Sequence, residues 1–113
     1  MLTISSGGKL KPSINNGDVP IAYELNNPFP NPFNPSIQIG FALPEAGFVS
    51  LKIYDILGRA VSTIAEGPYQ PGFHSVTWDG SKTASGIYTA RFVALDEFSA
   101  VKYSNTKKLV LAK

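Results

Sequence analysis

The sequence contains no cysteine and one histidine, His74. Without cysteine the chain has no disulfide framework, no thiolate zinc site and no cysteine nucleophile. A nucleophilic triad would have to use His74, and a single histidine without cysteine does not supply the usual ligands of zinc. Because His74 alternates with Val76 and Trp78 on a predicted inward face, we expect it to be a hydrogen-bonded structural residue. We predict no metal and no cofactor.

Long apolar runs and strong charge are also missing. No run approaches the roughly 18 residues that span a bilayer, and residues 1–10 lack the apolar stretch of a signal peptide. Ten Lys and Arg against eight Asp and Glu leave a net charge of +2, which argues against a nucleic-acid partner. No two of the carboxylates suggest a glycosidase pair. An enzyme is not expected, and an exported protein would have this sequence as part of a longer one.

Alternation of apolar and polar residues is the main pattern in the sequence. It begins near Ile21 and predicts about seven short strands separated by turns that contain glycine or proline. The predicted strands cover 21–25, 37–43, 49–54, 60–65, 73–78, 87–94 and 100–111, with a candidate break at 104–105, and 67–68 is among the predicted turns. This number and spacing predict an all-β fold, an immunoglobulin-like antiparallel β-sandwich.

Residues 1–20 have a different composition from the rest. Small and turn-forming residues dominate this stretch, and no apolar period runs through it. Such a segment buries too little surface to offset its ordering entropy. We therefore predict a linker at 1–20 and a single domain at 21–113.

The segment 27–35 contains four prolines and fits neither a helix nor a central strand. One interpretation is a stiff crossover between the two sheets, with Phe29 and Phe33 capping the open end of the sandwich. The other is a proline-rich ligand for the aromatic groove of a partner. The first is preferred.

Three aromatic residues, Phe48, Tyr54 and Phe73, fall on outward faces of the predicted strands. They suggest a sugar-stacking platform of the kind found in carbohydrate-binding modules, although isolated surface aromatics are common. The last strand places Lys108 outward and Leu109 and Leu111 inward. Its lysines either deter aggregation at a sheet edge or form an address that a receptor recognises.

Six motifs in order resemble those of the type A C-terminal sorting domains of the type IX (Por) secretion system. They cover most of the chain from about Tyr23 to Lys113: Tyr23-Glu24-Leu25 with Phe29–Ser36, Leu43–Gly47, Ile53–Arg59, Pro71–Gly80, Ala84–Tyr88 and Lys107–Leu111. The sequence differs from the family at Asn27-Pro28-Phe29, where Gln-Asn-Tyr is usual. Only Ser81-Lys82-Thr83 separates the fourth motif from the fifth, which is shorter than is typical.

The resemblance implies a non-catalytic secretion and surface-attachment signal. Such a domain follows an upstream cargo, is recognised by the outer-membrane translocon after passage through the periplasm, and is typically removed by a sortase that cuts upstream of it. The residues implied in recognition are Lys107, Lys108, Leu109, Val110, Leu111 and Lys113, together with Gly58. Exchange of the last strand or of the proline segment between copies would give a homodimer. The alternatives are a carbohydrate-binding module and a plain spacer.

Overall fold

Residues 19–113 are described by a computed structural model and form seven strands, joined only by turns and irregular segments. The strands are β1 (Glu24–Leu25), β2 (Ser36–Leu43), β3 (Gly47–Tyr54), β4 (Ala60–Tyr69), β5 (Gly72–Asp79), β6 (Gly86–Leu95) and β7 (Val101–Leu111). They make a three-stranded sheet in the order β1-β2-β5 and a four-stranded sheet in the order β4-β3-β6-β7, and all pairs are antiparallel. The predicted all-β sandwich is confirmed.

The core lies between the two sheets and follows from the period of two in the sequence. Successive side chains of a strand point to opposite faces, so every second residue of β2, β3 and β6 faces the other sheet. Ile39 and Phe41 of β2 and Leu51 and Ile53 of β3 are fully buried, as is Phe92 of β6. Among the described residues no polar or charged side chain is buried.

The sandwich has two ends that carry different parts of the chain. The tail end holds residues 55–59, 80–85 and 112–113, because the start of β6 pairs with the end of β7 there. The loop end holds residues 44–46, 70–71 and 96–100. Tyr23 lies at the loop end, where its hydroxyl donates to Glu45 Oε2 at 2.8 Å. The described chain therefore starts at one end and finishes at the other.

Three predicted strand boundaries are wrong. β1 has two residues instead of five, because Glu24 pairs with Ala42 and β2 ends one residue later, which leaves residues 21–22 without a partner strand. β4 continues through the predicted turn Gly67-Pro68, which an edge strand tolerates because its outer donors need no partner. β7 is unbroken at 104–105, since Asn105 pairs with Phe92 of β6.

The proline segment 27–35 lies between β1 and β2 of one sheet, so the predicted connection between sheets is wrong. It still contacts the second sheet, because Phe33 forms a parallel bridge with Leu111 of β7. Phe33 is buried, as predicted, whereas Phe29 is 59% exposed. The backbone of Phe29 pairs with exposed Gln38, and directly paired residues share a face, so the Phe29 side chain points outward.

Substitution of each phenylalanine of the proline segment by alanine compares a buried ring with an exposed one. We expect Phe33→Ala to lower the free energy of unfolding by about 3–5 kcal/mol, because it leaves a cavity beside Trp78 and Leu111. Phe29→Ala should change it by less than about 0.5 kcal/mol, because most of that ring already contacts water. Urea unfolding of both variants tests this, and equal midpoints would contradict it.

Candidate functional site

The last strand divides the residues implied in recognition into two groups. Leu109 and Leu111 are buried in the core, as predicted, while Lys108 and Lys113 are exposed. Lys107 is half-buried and pairs with Ala90 of β6, which places it on the inward face of the edge strand. The leucines therefore attach the strand to the core, and Lys108 and Lys113 are accessible at the surface, whereas Lys107 is only partly so.

The outer edge of β7 is covered near its end by the proline segment. The side chain of Asn31 donates to the carbonyl of Lys108 at 2.8 Å and accepts from the N–H of Val110 at 2.9 Å. The backbone of Phe33 continues this pairing, accepting from Ala112 at 2.9 Å and donating to Val110 at 2.8 Å. These four hydrogen bonds satisfy backbone groups that an edge strand otherwise leaves open.

Packing beneath these hydrogen bonds leaves little free space. The Trp78 ring lies between Phe33 and Tyr88, with ring centroids 5.6 Å from each. Gly80 donates to the carbonyl of Pro35 at 2.8 Å, and a Cβ at Gly80 would come 3.0 Å from Leu111 Cδ2. Because Gly80 has no side chain, the turn after β5 can lie close to the last strand.

The terminal lysine is held by the short loop between β5 and β6. The N–H of Lys113 donates to Ser85 Oγ at 3.1 Å, and its Nζ donates to the carbonyl of Ser81 at 3.0 Å. This is the loop that is shorter than is typical in the sorting family. Its shortness brings two serines next to the last residue.

Gly58 lies in a tight turn between β3 and β4, at the tail end but two strands away from β7. Its φ of +83° is in the left-handed region that glycine adopts at no steric cost. The Asp55 carboxylate accepts from the N–H groups of Leu57 and Arg59 at 2.9 and 3.0 Å and forms an ion pair with Arg59 at 3.1 Å. The structure thus places Gly58 at the same end as Lys113 but not in one cluster with it.

His74 has the structural environment expected from the sequence. Its Nε2 lies 2.9 Å from the carbonyl of Gln70, and its ring packs against Phe41 and Tyr69 with centroid distances of 5.4 and 5.1 Å. In the part of the chain that the structure describes, no three His, Asp or Glu side chains are grouped so that they could hold a metal ion. Residues 19–113 also include no helix with the length and apolarity to cross a membrane.

The outward aromatics do not form the platform suggested by the sequence. Phe48 and Tyr54 lie on the outer face of the four-stranded sheet, at opposite ends of β3 and so roughly 20 Å apart. Phe73 lies on β5 of the other sheet. A sugar ring cannot stack on all three, because Phe73 lies on the opposite side of the sandwich from Phe48 and Tyr54.

Three residues that hold the tail are not among those expected from the sequence: Asn31, Ser81 and Ser85. Asn31 stands between two prolines, where neither neighbour can donate a backbone hydrogen bond. A side-chain amide at such a position can supply both the donor and the acceptor that the prolines lack. No sequence pattern marks the two serines, because their hydrogen bonds to Lys113 depend on where the last strand ends in the fold.

We expect the Asp55 turn to make stability depend on acid pH. The N–H of Arg59, then that of Leu57 and the Arg59 guanidinium, hold the pKa of Asp55 below its usual value despite partial desolvation. The stabilisation is therefore full above the unfolded pKa of about 3.9 and is lost as the pH falls through the lower folded value. Asp55→Asn should reduce the loss of unfolding free energy below about pH 4. Urea unfolding at stepped pH measures this, and equal slopes for variant and wild type would refute it.

Comparisons with known proteins agree with the fold. No curated protein matches the sequence significantly. Among solved structures, a chain of dimeric latent PorU from Porphyromonas gingivalis is similar, with a TM-score of 0.55 and 19% identity over 88% of this chain. This chain spans about 10% of that one, and the likeness at this identity concerns the fold. The family model that matches is the FlgD Ig-like domain, over residues 34–97, and not a type A sorting domain. The chain belongs to the FlgD Ig-like domain family.

Proposed function

We propose that this immunoglobulin-like domain is a non-catalytic secretion and surface-attachment signal of a larger exported protein. Its partners would be the type IX outer-membrane translocon and sortase, and its destination the outer-membrane surface or the medium. The proposal combines the ordered sequence motifs with the geometry of the last strand. The likeness to part of PorU agrees with it at the level of fold.

The observation that carries the proposal is the way the tail is presented. Leu109 and Leu111 are buried and Asn31 closes the edge of the strand, so the tail is part of the rigid body. Lys108 and Lys113 nevertheless remain exposed at its surface. A receptor could therefore bind a preformed surface, which avoids the entropy cost of ordering a loose peptide.

The position of the two ends supports the same proposal. The described chain begins at the loop end, with Tyr23 bonded to Glu45, and finishes at the tail end. An upstream cargo would then approach the body from the side opposite to Lys113 and leave it accessible. The predicted linker at 1–20 would hold the sortase cleavage site on the cargo side; apart from Val19 and Pro20, it lies outside the described residues.

We propose that Gly58 helps recognition indirectly, because it shapes the turn between β3 and β4 at the tail end. Its turn is closed by the Asp55 hydrogen bonds and sets where β4 begins. A homodimer that exchanges strands remains a prediction: the hydrogen bonds from Asn31 and Phe33 to β7 are the contacts that a second copy would have to replace.

The test uses the whole chain fused behind a periplasm-directed reporter, in a bacterium that has a type IX system. Lys108→Ala with Lys113→Ala should lower the surface-exposed fraction of the reporter about tenfold, because a receptor loses two charged contacts. Both side chains are exposed, so the domain should still fold. Protease accessibility on intact cells measures the exposed fraction.

The matched control is Lys52→Ala with Lys102→Ala, which removes the same charge from other parts of the surface. It should leave surface display at the level of the unsubstituted chain. Normal display of the tail variant, with unchanged melting temperature, would refute the assignment of these lysines. Equal losses in both variants would show that net charge alone is recognised. Deletion of residues 107–113 is a poor test, because it also removes the buried Leu109 and Leu111.

A further inference from the structure

Two adjoining clefts lie at the loop end, far from the tail. The larger, of about 510 Å³, has apolar walls formed by Phe48, Pro68, Tyr69 and Leu95. The smaller, of about 350 Å³, is lined by Phe98 and Glu45 among others. The clefts share Asp96 and Glu97, so they form one groove with carboxylates at its middle. The larger one falls in the size range of ligand pockets.

The charge at this end is unbalanced. Among the described residues, the carboxylates Glu24, Glu45, Glu66, Asp96 and Glu97 lie toward the loop end, by their place in the strands and loops. Lys102 is the one cation that lines the groove. Within residues 19–113 the sole ion pair joins Arg59 to Asp55 at the tail end, so no cation lies within 4 Å of the groove carboxylates.

The central carboxylate is fixed in position by its own loop. Asp96 Oδ1 accepts from the N–H of Phe98 at 2.8 Å and from that of Ala100 at 3.0 Å. These two bonds, led by the one from Ala100, hold the pKa of Asp96 below its usual value, and the charge of Lys102 lowers it further. Ser99, which lines the larger cleft, has a φ of +66°, a conformation that few residues other than glycine adopt. The loop is therefore held in one shape around the charge.

We propose that this groove binds an extended peptide in which an apolar side chain precedes a lysine or arginine. The apolar side chain would enter the larger cleft against Phe48 and Tyr69. The cation would lie beside Asp96 and Glu97. The complementarity of charge selects the occupant, because an uncharged apolar ligand would leave both carboxylates without a cation within ion-pair distance. A negatively charged ligand would be repelled.

The experiment titrates the isotope-labelled full chain with acetyl-Gly-Phe-Lys-Gly-amide and follows amide shifts by NMR. We expect saturable shifts at Phe48, Leu95, Asp96 and Glu97, weakened by added salt. Replacing the peptide lysine by glutamate should weaken binding at least about tenfold, and replacing its phenylalanine by alanine should weaken it severalfold. Equal shifts with all three peptides, or shifts at other residues, would overturn the proposal.

Variants of the protein distinguish binding in the groove from attraction by the net charge of the domain. Glu97→Gln and Phe48→Ala change exposed side chains that line the groove, and each should weaken binding of the lysine peptide. Glu66→Gln removes the same charge as Glu97→Gln but lies on β4 outside the lining, and it should bind like the unsubstituted chain. Equal weakening by both glutamine variants would show attraction by net charge only and overturn the proposal. The proposed secretion function does not depend on this outcome.

Discussion

The fold depends on how its last strand is closed at the outer edge. β7 is the end of the four-stranded sheet, and near its C-terminus it has no neighbouring strand on one side. The proline segment takes that place through Asn31 and Phe33, which together supply two donors and two acceptors. The same contact inserts the Phe33 ring against Trp78 and links the two sheets. One short segment therefore satisfies an exposed backbone edge and fills the end of the core.

The closure of the β7 edge explains why the turn at Gly80 and the loop 81–85 pack closely at the tail end. The turn at Gly80 has to approach Leu111, which only a residue without a side chain permits without displacement of neighbours. The loop from 81 to 85 is short enough for two of its serines to reach Lys113. At the loop end the described residues form no comparable network. The connections there are held by local turns such as the one at Asp96, and open clefts remain between them.

The strand pattern could be predicted from the sequence, because the inward residues of β2, β3 and β6 alternate without interruption. The prediction failed where the local rule and the tertiary context differ. Gly67-Pro68 has the composition of a turn, yet β4 passes through it as an edge strand. Phe29 and Phe33 occupy similar sequence positions between prolines, and only the pairing partner decides which of them is buried.

The candidate site was predictable only in part, for the same reason. Alternation along the last strand separates Lys108 from Leu109 and Leu111, and the structure confirms their faces. Asn31 contacts that strand at Val110 and Ser85 contacts Lys113 just beyond it, which joins positions 79 and 28 residues apart in the sequence. No local pattern encodes such a distance. The aromatic platform failed for a related reason, since alternation gives the face of a strand but not the sheet to which the strand belongs.

Because Tyr23 and Lys113 lie at opposite ends of the sandwich, the domain holds them a fixed distance apart. β2 alone has eight residues, so the strands hold the two ends at least roughly 26 Å apart. Because both sheets share the core along this length, the distance cannot shorten without loss of packing. Tyr23, near the start of the described chain, is therefore kept at a set separation from Lys113.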